Sequence, residues 1–148
     1  MRGEMIRRAA YWTALVLWAG MAVFRSRQGL EDTARLSGTI AAWLAGLLRG
    51  IGVRTDPETL HELVRKAAHV VIFLVLGFLV SRAFSLSFHG RWVIPAAAAV
   101  CLAAAVLDEA QKAAVPGRHC HWDEAALNAG CAMAGLALGQ LVRRRTQK

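Results

Sequence analysis

Charged side chains are scarce in this chain. They make up 19% of its 148 residues, against 56% hydrophobic ones. A soluble domain of this size has to present a larger polar surface, so the balance excludes that class and points to a lipid bilayer. Acids are scarcer than bases: 10 Asp and Glu stand against 18 Lys and Arg, a net charge of +8. Cysteine is limited to three residues, which cannot close a disulfide framework. Cys101 and Cys131 lie in apolar runs and read as small hydrophobes, whereas Cys120 lies in a polar stretch. No basic stretch is long enough to follow a phosphate backbone, so the net charge predicts no nucleic-acid partner. No Ser or Cys stands in a recognised nucleophile spacing either.

What is abundant is apolar sequence in blocks. Runs at 9–24, 67–86, 92–107 and 125–142 are each short against the ~20 residues that cross a hydrocarbon core. Flanking Arg and Trp can lengthen them by snorkelling and interfacial anchoring, and Arg82 would do so for the second run. Basic residues cluster beside the runs, at Arg7–Arg8, Arg25, Arg27, Arg65–Lys66 and Arg143–Arg145. The first run has the position of a signal peptide. Gly20-Met21-Ala22 is a poor cleavage site, and Trp12 and Trp18 suit a retained helix. Between the first two runs, Ile40, Trp43, Leu44, Leu47, Leu48 and Ile51 share one helical stripe. That stripe predicts an interfacial or re-entrant amphipathic helix at about 38–52. Thr55-Asp56-Pro57-Glu58 has capping-box spacing and starts the next helix near Pro57. Gly135 and Gly139 form a small-xxx-small pair that permits close helix contact. The reading is therefore all-α: one membrane domain over 1–148, a four-transmembrane-helix bundle with an extra amphipathic helix.

Polar residues collect at particular ends of the runs. His69 lies one turn inside the second run, three residues after Lys66 and on the same face. Asp108 and Glu109 close the third run, with Gln111 and Lys112 one turn on. Arg118 follows a Pro116-Gly117 turn. Glu124 opens the fourth run, where an acid suits a helix N-terminus, and Asn128 lies one turn later. A charge deep in a bilayer costs roughly 2.5–3.5 kcal/mol on insertion scales, so three helices carrying such groups to one level are expected to bring them together. The expected polar site comprises Arg65, Lys66, His69, Asp108, Glu109, Lys112, Arg118, Glu124 and Asn128, with Lys66 as the counter-charge of Glu109. No catalytic residue is assigned. His119-Cys120-His121 is too compact to enforce one tetrahedral centre, so neither a metal nor another cofactor is expected.

At these residues the sequence resembles the VanZ-like family. Arg65-Lys66-Ala67-Ala68-His69, followed by Phe73, Leu76 and Gly77, is similar to its R-K-x-x-H-(x3)-Y/F-(x2)-L-G signature. Asp108-Glu109 and Val115-Pro116-Gly117-Arg118 are similar to its D-E…V-P-G-R signature. Glu124 and Asn128 resemble its closing D-x-x-x-N. The chain departs from the pattern at Lys112, where Gln is common, at Glu124 in place of Asp, and at Cys131 in place of Gly. The resemblance implies four membrane helices and, for the family's namesake, lowered teicoplanin susceptibility. It implies no particular reaction. The expected function is an accessory membrane protein acting on envelope lipids or on glycopeptide action, with Arg118, Lys66 and Arg65 facing an anionic lipid or envelope precursor. The alternatives are an intramembrane enzyme using His69 and Glu109 as acid and base, and a small ion-coupled transporter, which would need a homo-oligomer.

Orientation follows from charge. Both ends of the chain are basic, and the stretch from Arg82, near the end of run two, to Arg91, just before run three, carries these two bases without an acid. The positive-inside rule then puts both termini in the cytoplasm of a bacterial cell and the polar site at the outer boundary. Tags at Lys148 and beside His89 are expected to stay unlabelled by an impermeant reagent applied to intact cells; labelling of either overturns this topology.

Overall fold

The computed structural model describes residues 2–27, 30–50, 56–114 and 120–146, side chains of 27–37 and 146 excepted. All regular structure among them is helical: α1 (Arg2–Arg27), α2 (Leu30–Gly50), α3 (Pro57–Ser87), α4 (Val93–Ala113) and α5 (Trp122–Thr146). Among the described residues, three helices are long and apolar enough to cross a membrane. Pro57–Ser87, Val93–Ala113 and Trp122–Arg145 reach mean hydropathies of 2.2, 1.8 and 1.5. α1 is not among these three; its uncharged stretch Ala9–Phe24 falls short of the ~20 residues of a full span.

Except at the start of α4, the helices outrun the apolar runs at both ends. α3 starts at Pro57 because Asp56, rather than Thr55, is the cap: its carboxylate accepts from the Thr59 backbone N–H and hydroxyl, both at 3.0 Å. Thr55 lies outside the described residues. The backbone bond, then the hydroxyl, holds the Asp56 carboxyl below its ordinary value. The cap is therefore fully present above the ordinary Asp range and is lost as pH falls through the lowered value. The acids expected to close the third run lie within α4, which continues to Ala113. Gly90, with φ of 113°, makes the turn into α4 in a region that favours glycine. α2 begins well before the expected residue 38; its expected end at 51–52 lies outside the described residues.

α3 is the hub and packs against all four other helices, most extensively against α5. The core joins Phe73, Leu76, Val80 and Ala83 of α3 to Ala97, Cys101 and Ala105 of α4, Ala132 and Leu136 of α5, and Leu15 of α1. The expected close contact at Gly135 and Gly139 is present, and Gly77 joins it. A Cβ on Gly77 would stand 1.9 Å from the Ala132 carbonyl oxygen, one on Gly135 1.9 Å from that of Leu74, and one on Gly139 2.6 Å from the Ser81 side chain. Backbone thus meets backbone.

α2 turns its small side, Ala41, Ala45 and Gly46, towards Pro57 and His61 of α3. Ile40, Trp43 and Leu47 point away and are exposed. α1 is fixed by polar clasps: Trp18 Nε1 donates to the Ile72 carbonyl at 2.9 Å, and Trp12 Nε1 to Ser87 Oγ at 2.8 Å. Arg82 does not snorkel and is no part of a loop. It lies in α3, 4% exposed, with its guanidinium 5.5 Å from the Tyr11 ring centre, a cation–π distance. The α3–α4 connection keeps only Arg91 as a full charge.

Gly135→Ala drives a methyl into the α3 backbone and is expected to lower detergent stability by about 1–3 kcal/mol. Gly130 has open space around its Cβ position, so Gly130→Ala should be neutral. Equal melting temperatures for the two variants would show that the α3–α5 approach is not as close as described.

Candidate functional site

The expected meeting of polar groups occurs at one end of the bundle. There the C-terminal turns of α1 and α4 lie beside the N-terminal turns of α3 and α5. Asp108 and Glu109 leave α4 on adjacent positions, and Lys112 follows at i+4 and i+3, so all three share a side of the helix. All three are buried, Glu109 completely.

Lys112 Nζ is the centre of the cluster. It lies 2.5 Å from Glu109 Oε1, 3.1 Å from Glu124 Oε2 and 3.2 Å from Asp108 Oδ2. An ammonium has three N–H donors, and here three carboxylates surround it. Lys112 rather than Lys66 is therefore the counter-charge of Glu109; Lys66 is exposed on α3. The physical reason is helical phase: Lys112 is on the same helix and face as the acids. Arg65 bridges from α3, its Nη2 3.2 Å from the other Glu124 oxygen. Glu109 Oε2 accepts from the backbone N–H of His121 at 3.2 Å, just ahead of α5, where a helix N-terminus favours an anion. Asn128 Nδ2 donates to Asp108 Oδ2 at 3.3 Å. Four of the five helices are thus joined through a few charges, since Ser26 of α1 donates to the Asp108 carbonyl at 3.2 Å.

Beside this cluster lies a cavity of about 40 Å³, lined by Arg25, Arg65, His69, Asp108 and Lys112 among others. By volume it holds about one water, whose share of liquid is ~30 Å³. His69 Nδ1 is buried there without a hydrogen-bond partner, and its ring stacks near Phe73 with centroids 6.4 Å apart. Ser26 and Arg25 are contributors that the sequence alone does not assign to the site; Arg25 reads there only as a basic residue flanking the first run. Their signal was position, at the end of run one that shares a level with His69 and Asp108. Arg118 lies outside the described residues, as do 115–117 and His119. Among the described residues no group of three His, Cys, Asp or Glu is disposed to hold a metal.

A family model described as VanZ/LLP1 matches residues 11–143. No curated protein and no solved structure matches the chain.

Lys112→Met strands Asp108 and Glu109, leaves Glu124 with Arg65 alone, and is expected to cost about 3–5 kcal/mol. Adding Glu109→Gln should recover part of that loss, because the fully buried acid then needs no cation. Lys66→Met should leave melting unchanged. Strict additivity of Lys112→Met and Glu109→Gln would show that the two do not share a site.

Proposed function

The chain belongs to the VanZ/LLP1 family, and from that premise we propose that it is a multi-pass membrane protein holding the anionic headgroup of a cell-envelope lipid or precursor. One observation carries the reading: Arg25, Arg65, His69 and Lys112, from three helices, line a single cavity at the end of apolar helices. Within the cluster, Asp108, Glu109 and Glu124 balance Arg25, Arg65 and Lys112. Lys66, exposed on α3 one residue from Arg65, adds a further positive charge at this end. Arginine's planar fork suits phosphate or carboxylate.

In this reading four helices cross the membrane. Support for the fourth span comes from α1, whose 26 residues extend about 39 Å at 1.5 Å per residue, and whose Val16, Leu17 and Phe24 are exposed. α2 lies at the interface, with Ile40, Trp43 and Leu47 towards lipid. The membrane is the bacterial cytoplasmic membrane, both termini are cytoplasmic, and the cavity is at the outer boundary. The basic ends and the acid-free connection around Arg91 support that orientation. The cellular role is an accessory one, in which occupancy of envelope lipids alters glycopeptide susceptibility. A second reading, an intramembrane enzyme, draws on the unpartnered His69 Nδ1, a group able to exchange a proton with a bound phosphate ester. Turnover of a lipid-linked phosphate by the purified protein, abolished in His69→Gln, would select it.

Deletion is expected to raise susceptibility to glycopeptides that carry a lipid extension and to leave susceptibility to those without one unchanged. Arg65→Gln and Arg118→Ala should complement the deletion poorly. Unchanged susceptibility to both drug types after deletion would remove the glycopeptide role.

A further inference from the structure

Next to the charged cavity runs a second, larger one of about 240 Å³ between α1, α3 and α4. Its floor is Phe73, Leu76 and Val80 of α3, all buried, and its rim is Val23, Val100 and Leu107, all exposed. It therefore opens sideways, between α1 and α4, which touch far less than α3 and α5 do. Its volume equals that of roughly eight waters at ~30 Å³ each. Asp108 and Gln111, together at one end of α4, are its only polar lining residues. An apolar cavity of this kind stays dry and accepts apolar guests. The two cavities share Ala22, Phe73 and Asp108 as lining, so they adjoin, with cations around one and hydrocarbon around the other. The exposed rim is itself apolar, which suits entry from lipid and not from water.

We infer that the site takes a single amphiphile, its anionic head beside Arg25 and Arg65 and one aliphatic chain laid in the α1–α4 groove after lateral entry from the bilayer. This rests on the headgroup reading above and adds the chain, the groove and the route. A free phosphate would use only the small cavity, and an uncharged lipid only the groove. The adjacency of the two, across Ala22, Phe73 and Asp108, is what calls for both parts in one molecule.

The test uses the full chain in phosphatidylcholine nanodiscs. The probe is a lysophosphatidylglycerol with a diazirine at mid-chain, and glycerol phosphate serves as the headgroup alone. The expected result is that light-induced adducts concentrate on Val23, Val100 and Leu107 over Leu102 and Val106, which are exposed on α4 but line neither cavity. Ala104→Phe fills the groove wall and should cut those adducts about tenfold, the equivalent of expelling two methylenes. The same variant should leave glycerol phosphate binding intact, while Arg25→Gln weakens both ligands. Adducts spread evenly over α4 in the unsubstituted protein overturn the inference, and that measurement needs no variant to fold. If glycerol phosphate binding still depends on Arg25 in that case, the headgroup reading stands without the groove. If neither ligand depends on Arg25, both fail.

Discussion

The approach of α3 and α5 is the constraint from which the rest of the structure follows. Gly77, Gly135 and Gly139 leave no room for a Cβ, so the two backbones set their own spacing. Lipid tails are as apolar as the side chains, and helices in a membrane gain little from hydrophobic burial against one another. Close van der Waals contact and interhelical hydrogen bonds have to replace it. Both occur along this seam. At one end Arg65 reaches Glu124; at the other, Gln140 Nε2 donates to Ser81 and Ser85 at 2.9 and 3.0 Å. A shift of α5 along α3 would break both ends at once.

With that pair in register, the charges of α4 have a place to go. Asp108, Glu109 and Lys112 would be costly side by side in hydrocarbon, and Lys112 offsets only part of two carboxylates. Glu124 arriving from α5 adds a further negative charge, and Arg65 compensates it from α3. The arrangement is mutually dependent, which is why removing one member costs more than any pair contributes. It also leaves His69 and Arg25 on a cavity wall instead of inside the ion-pair network.

The bundle is tight at α3–α5 and loose at α1–α4. Tryptophan clasps hold α1 to α3, not to α4. The gap they leave is apolar, opens to the side, and ends at Asp108. A tight seam on one side of α3 and a groove on the other follow from the residue sizes: glycine and alanine on the α5 side, valine and leucine on the rim facing α1.

How much of this was legible in the residues differs element by element. The apolar runs determined that the chain is helical and membrane-like, since unbroken apolar runs satisfy their backbone in lipid as helices, whereas the strands of a closed barrel alternate apolar with polar residues. The Gly135–Gly139 spacing determined the kind of contact, and the positions of His69, Asp108 and Glu124 in their runs determined that they meet. Lys112 was legible too, at i+4 from Asp108 and i+3 from Glu109, but a nearer-looking cation, Lys66, competed for the role. Helical phase settles that choice only once α3 is rotated about α5, which turns Lys66 outward and Arg65 to Glu124. Arg82 shows the same limit: its place in the sequence suits snorkelling, yet Tyr11 of another helix covers it. Spacing along one helix is a local property. Which faces meet, and therefore which charges are buried and which line a cavity, depends on the packing of five helices, and only the tertiary structure decides it.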